Sequence, residues 1–176
     1  MSAAELSRSI KPRALPAGTI TIEADAAERA ALASRFGITA IHSLAAEVEF
    51  GEKDGAVLAE GKLAATLEQP CAVTREDFTY EVSDSFSLRF VPEGRMGEYE
   101  EDAEFELTED DLDEIEYEGD SFDLGEAIAQ ELALAIDPYR EGPGAEEARE
   151  KAGIESDESR KPSGPLAEAL ASLKKD

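Results

Sequence analysis

The amino-acid sequence predicts an α+β domain: a bent antiparallel sheet or small partly open β-barrel, with two packed helices, a mobile acidic loop and a flexible C-terminal region. Three observations carry this expectation. Runs of alternating apolar and polar residues follow one another through residues 42–90 with short connections between them, as in an antiparallel meander with one buried face. Two segments with helical spacing flank those runs, each opened by an acidic capping pair. Finally, a strongly acidic stretch at 94–120 and a polar, Gly- and Pro-containing stretch from 141 onward lack the apolar content of a core.

Taken in order, "TITIEA" sets Ile20 and Ile22 on one side of a short strand. "DAAERAALASRFG" then reads as a helix. Asp25 and Glu28 have capping-box spacing, Leu32 and Phe36 share a face, and Gly37 is a stop. In "HSLAAEVEF", His42, Leu44, Ala46, Val48 and Phe50 face one way, and Glu47 and Glu49 the other. "GEKDG" supplies a reversal. The second run is Val57, Ala59, Gly61, Leu63, Ala65 and Leu67. The third is Phe78, Tyr80, Val82, Phe86, Leu88 and Phe90, bent or interrupted near Asp84. A further short strand is expected around Ile115–Tyr117. "DLGEAIAQELALAI" is the strongest helix, with Asp123 and Glu126 at its start and a ladder of Leu124, Ile128, Leu132 and Ile136 before Asp137-Pro138.

The expected organisation is one domain over 1–140, with its acidic loop at about 94–120, then a disordered polar linker over 141–163. A short amphipathic tail over 164–176 places Leu166, Leu170 and Leu173 on one face. The tail either docks as a last helix or folds on contact with a partner.

Charge is the dominant compositional feature. The 176 residues hold 42 acids and 17 Lys and Arg, a net charge of −25. Residues 98–139 alone carry 18 acids and no base, whereas residues 1–97 and 140–176 are closer to balance. Such a surface repels nucleic acid and anionic membrane and attracts basic proteins. Basic clusters at Arg8, Lys11 and Arg13, and at Lys161, Lys174 and Lys175, are the places where phosphate contact is conceivable. No apolar run approaches the ~20 residues that span a bilayer. The N-terminal stretch lacks the apolar centre of a secretory signal. A single Cys permits no internal disulfide and suits a reducing cytoplasm.

Catalytic and metal chemistry find little support. Cys71 and His42 are the sole residues of their types. Both read as half-buried on a sheet face, and neither is accompanied by a Gly-rich oxyanion turn, so a Cys/His hydrolase is the weakest reading. Zinc wants four N or S ligands. From Asp111, "DLDEIEYEGDSF" places Ile and Glu where a calcium loop wants an acid and Gly. With 42 acids, no carboxylate pair is marked out. Phosphate-cradling and dinucleotide motifs are absent, so no cofactor is expected.

The order of features is nonetheless familiar. A cysteine-marked turn between strands, an acidic loop, the capped "DLGEAIAQELALAIDPY" helix, a polar linker and a terminal "KPSGPLAEALASLKK" resemble the YceD family of large-ribosomal-RNA-subunit accumulation proteins. The likeness covers roughly residues 60 to 175. Its most specific piece is the terminal motif, with Lys161, Pro162, Pro165, Leu166, Leu170, Leu173 and Lys174 at signature positions. Many members carry Cys-x-x-Cys in the turn and further Cys after the helix, a zinc-like spacing. Here Cys71 keeps the first position and Thr74 stands at the second, with no later Cys. Cys71 therefore reads as a small apolar residue at a tight turn.

The resemblance implies a non-enzymatic ribosome-biogenesis factor needed for accumulation of large-subunit ribosomal RNA. The expected route is contact with a basic ribosomal protein or assembly factor. Candidate partner-binding residues are Glu109, Asp110, Asp111, Asp113 and Glu114 in the acidic segment, together with Lys161, Pro162, Leu166, Leu170, Leu173 and Lys174 in the tail. The alternative is direct contact with ribosomal RNA or a pre-ribosomal particle through the near-neutral termini.

Overall fold

The computed structural model describes residues 5–94 and 114–154. Its centre is a five-stranded sheet of β2 (Ile20–Glu23), β3 (Ala40–Lys53), β4 (Ala56–Pro70), β5 (Asp77–Pro92) and β6 (Glu114–Tyr117), neighbours in that order. Strand β1 (Ser9–Ile10) and strand β7 (Phe122–Asp123) form a separate antiparallel pair. Helices α1 (Ala26–Phe36), α2 (Leu124–Ala135) and α3 (Ala145–Ala152) complete the described elements, with a 3-10 turn at Pro12–Ala14. Among the described residues the sheet's two edges do not join, so the sheet is open and forms no closed barrel.

Alternation in the sequence becomes two-sidedness in the sheet. Leu44, Ala46, Val48, Val57, Ala59, Leu63, Ala65, Leu67, Phe86, Leu88 and Phe90 are all buried in one core. The β3–β4 hairpin turns on Asp54 and Gly55, whose φ values of 52° and 72° give the mirror-image turn that matches strand twist. Strands β4 and β5 stay in register from Val57 opposite Phe90 to Pro70 opposite Asp77. Asp84 does not interrupt β5. It sits opposite Leu63 with its side chain exposed.

Three features depart from the sequence reading. A register shift between Ile41 and Ser43 inserts a bulge into β3, which reverses side-chain parity before Leu44. Ile41 is therefore buried, while His42, expected on the half-buried face, is exposed. The short strand around Ile115–Tyr117 exists as β6 but runs parallel to β5. The long connection from 95 to 113 makes that direction available, since a parallel neighbour needs a crossover of a dozen or more residues. Third, α3 lies inside the stretch expected as a polar linker. Glu146 and Glu147 in its first turn and Arg149 and Lys151 in its last complement the helix dipole, and Gly153 closes it in the left-handed conformation at φ 67°.

Both long helices pack on the apolar face of the sheet. The expected capping box of α1 is present: Asp25 Oδ1 accepts from the N–H groups of Ala27 and Glu28, and Glu28 Oε2 accepts from the Asp25 N–H. In α2, Asp123 Oδ1 caps Gly125 and Glu126. Glu126 instead reaches across to α1, where Arg35 binds it through two nitrogens at 2.9 and 2.8 Å. Leu124, Ile128 and Leu132 are wholly buried. The N-terminal segment ties the helices together. Leu6 is buried against α2, where a Cβ on Gly125 would lie 2.8 Å from the Leu6 carbonyl oxygen. The Arg8 N–H donates to Asp123 Oδ1, and its guanidinium donates twice to Glu28.

Candidate partner-binding surface

With α1 and α2 on one face, the opposite face of the sheet is left to solvent. Its middle is lined by small side chains in lateral register, Ala45 beside Ala64 beside Ser83 and Ser43 beside Thr66, with Glu23, Arg29 and Glu81 at the rim. Because these residues project so little, the curved sheet leaves a shallow depression of about 500 Å³ over them. Around it the same face carries exposed Glu23, Glu47, Glu49, Glu60 and Glu81, with Lys62 among them. Field lines from such a surface draw in cationic groups and oppose phosphate.

The N-terminal bases are largely engaged. Arg8 is held by Glu28 and by the Glu23 carbonyl, and its guanidinium pKa is raised chiefly by that Glu28 hydrogen bond. Lys11 Nζ stands 3.7 Å from Asp120. Arg13 is exposed on the 3-10 turn. Arg8 thus acts as a strap between α1 and the N-terminal segment, which weakens the case for a phosphate-binding cluster there.

Cys71 sits buried where β4 turns toward β5. The turn is closed by the Cys71 N–H donating to the Glu76 carbonyl and the Arg75 N–H donating to the Cys71 carbonyl. Three backbone N–H groups converge on its sulfur: Val73 and Thr74 at 3.4 Å each, and Gly142 at 3.2 Å. The Gly142 contact demands glycine, because a Cβ there would approach the Phe78 ring to 2.9 Å. The Thr74 hydroxyl, then the N–H groups of Thr74 and Gly142, pull the Cys71 thiol down to about 7.

This sulfur environment does not fit zinc. The second family position is Thr74, the segment after α2 contributes the Gly142 backbone rather than a thiolate, and no group of three or more His, Cys, Asp or Glu that could hold a metal ion is found among the described residues. His42 is elsewhere on the sheet, its Nε2 2.8 Å from Glu68. Elemental analysis of purified protein should find far less than one zinc per chain; stoichiometric zinc would overturn this reading. A pH dependence also follows. The folded state holds the thiolate above about 7, whereas an unfolded thiol stays protonated to about 8.5. The stability contributed is complete above the unfolded value and lost as pH falls through the folded one. Denaturant melts at pH 6 and pH 9 should show the gap between wild type and Cys71→Ser widening at the higher pH. An equal gap would mean that the sulfur stays protonated.

Of the eleven partner-binding candidates, Glu114 alone lies among the described residues. Glu109, Asp110, Asp111 and Asp113, and Lys161, Pro162, Leu166, Leu170, Leu173 and Lys174, fall outside them. Glu114 opens β6 and is half-buried beside Arg89, its Oε1 3.1 Å from Arg89 Nε. The pair is close but not aligned as a hydrogen bond, and it ties β6 to β5. Sequence reasoning missed the acids of the open sheet face as a group. Their signal was present as Glu47 and Glu49 at one alternation phase, with Glu60 and Glu81 sharing that phase on the next strands.

The chain matches the family described as "Large ribosomal RNA subunit accumulation protein YceD" over residues 59–174, about two thirds of its length. It belongs to the YceD family. The matched region takes in most of β4, all of β5, the Cys71 turn, α2 and the terminal motif up to Lys174. No curated protein and no solved structure shows significant similarity to the chain. YceD membership supports a role in accumulation of large-subunit ribosomal RNA, and no helix among the described residues is long and apolar enough to cross a membrane.

Proposed function

We propose that this YceD protein is a non-enzymatic, cytoplasmic ribosome-biogenesis factor that promotes large-subunit RNA accumulation by holding a basic ribosomal protein or assembly factor. The observation that carries the reading is the distribution of charge. Eighteen acids and no base occupy residues 98–139, and the exposed sheet face adds Glu23, Glu47, Glu49, Glu60 and Glu81. Concentrating like charge destabilises a compact state, so a partner that neutralises it gives the concentration a use. Electrostatic capture raises the association rate and makes it fall with salt.

The test is association with ribosomal-particle extracts at low and moderate salt, with and without nuclease. Converting Glu109, Asp110, Asp111 and Asp113 to Gln or Asn should slow association and flatten its salt dependence. Glu114 is kept in that variant because its ion pair with Arg89 is structural. Association that is unchanged by neutralisation but abolished by nuclease would make RNA the partner. The terminal motif is proposed as a second contact. Deleting residues 160–176 should impair large-subunit RNA accumulation in cells while leaving the melting temperature nearly unchanged, and full complementation by the truncated protein would refute that role.

A further inference from the structure

Strand β5 is sixteen residues long and is paired with β4 from Asp77 to Phe90. On its other side, β6 covers Arg89–Pro92 and nothing more among the described residues. Among the described residues, then, nothing pairs with the outward side of residues 77–88, an edge of about 40 Å at the usual rise of 3.3–3.4 Å per residue.

The direction of the backbone groups follows from two bonds. The Glu93 N–H donates to the Tyr117 carbonyl on the β6 side, whereas the Glu76 carbonyl accepts from Cys71 on the β4 side. Backbone groups alternate between the two edges of a strand, and the β4–β5 register is unbroken. The N–H and C=O groups of Thr79, Glu81, Ser83, Ser85 and Ser87 thus point outward. Asp84 supplies independent support, because its carboxylate reaches the Ser85 N–H at 2.8 Å, which occupies one of those outward donors.

Long edges in natural sheets are usually guarded by lysine, proline or a bulge. Residues 77–88 contain no Lys, Arg or Pro, and no register shift occurs there. Their charges are Asp77, Glu81 and Asp84, all acidic. An acidic guard repels a second copy of this chain, at net −25, yet admits a cationic strand. On the helix-covered side the edge offers half-buried Phe78, Tyr80 and Val82, while Glu81 stands on the open face.

We infer that the free edge of β5 is a strand-addition site for an extended, Lys- and Arg-rich protein segment with apolar residues at alternate positions. The apolar side chains of the incoming segment lie beside Tyr80 and Val82, its cationic ones beside Glu81, and its backbone pairs with the outward groups of residues 79–87. The inference rests on the reading that the protein captures a basic partner, and adds the place and geometry of capture.

The full-length protein is titrated with a ten-residue end-blocked peptide alternating lysine and valine, and with the same peptide N-methylated at alternate residues. Binding is followed by fluorescence anisotropy, and hydrogen exchange of individual amides by NMR. The plain peptide should slow exchange at Thr79, Glu81, Ser83 and Ser87 by about tenfold or more, and N-methylation in the pairing phase should weaken binding by a similar factor. Ser83→Pro removes one outward N–H, a position where an edge strand tolerates proline, and should weaken binding without loss of the folded spectrum. If that variant fails to fold, the N-methylated peptide decides the matter alone. Equal binding of both peptides, or binding without protection along the edge, overturns strand addition while leaving charge-driven capture intact. No binding of the plain peptide overturns strand addition as well. Protection of the edge in the free protein that grows with protein concentration would assign it to a second copy instead.

Discussion

Leu132→Ala is expected to lose about 2–5 kcal/mol of folding stability, the range for truncating a leucine in a packed core. Leu132 is wholly buried on the same face of α2 as Leu124 and Ile128, in the single cluster that also takes in Leu32 of α1 and the apolar face of the sheet. The substitution leaves the Asp123 cap and the Glu126–Arg35 pair in place, so the loss isolates core packing from helix formation and from the bridge between helices. In denaturant melts the midpoint should fall with little change in slope. A loss below about 0.5 kcal/mol, the range of surface substitutions, would mean that the ladder is not buried.

Gly61→Val should be comparably damaging, on the order of 3 kcal/mol or more, because it overpacks a strand interior rather than emptying a core. Gly61 lies opposite Phe86 on β5 and Val48 on β3. The Phe86 ring lies over the bare glycine, and a Cβ there would come within 2.5 Å of the ring and of the Glu47 carbonyl oxygen alike. The ring can swing away, but the carbonyl belongs to the neighbouring strand's backbone and cannot. Gly61→Val placed in a Phe86→Leu background should therefore recover part of the loss, not all. Complete recovery would assign the cost to the ring alone, and additive losses would show that the two positions do not couple.

These two sites show what was legible in the amino-acid order. Period-two alternation marked β3, β4 and β5, and the spacing of Leu124, Ile128 and Leu132 marked α2, because burial on one face leaves a phase in the sequence. The capping box of α1 was equally plain, being a local interaction. What was not legible depends on long-range geometry. The bulge between Ile41 and Ser43 shifts parity by one residue, and nothing in "AIHSL" marks it, so His42 was placed on the wrong face. The parallel direction of β6 depends on where the chain returns after β5, which four residues cannot encode. Helix α3 was hidden by the Gly and Pro residues ahead of it, although "AEEAREKA" is composed of good helix formers. At the candidate surface, net charge was obvious, but gathering Glu23, Glu47, Glu60 and Glu81 on one open face needed the register of four strands. The engagement of Arg8 was hidden for the same reason. A cation in sequence shows charge, and its partner Glu28 becomes evident once α1 is docked.

The pairing of β1 with β7 has a kinetic consequence. Ser9 aligns with Asp123, so it waits for a neighbour that is synthesised more than a hundred positions after it. The β3–β4 and β4–β5 hairpins join adjacent segments and can assemble as soon as they emerge, at low loop-closure cost. Leu6, by contrast, has no α2 to cover it until residues 124–132 have been translated. During that interval the nascent chain displays a finished meander whose apolar side is covered by α1 alone, a condition prone to aggregation or to engagement by chaperones. Docking of α2, with residues 5–10 laid against it, is then the closing step, and its rate sets how long that exposure lasts.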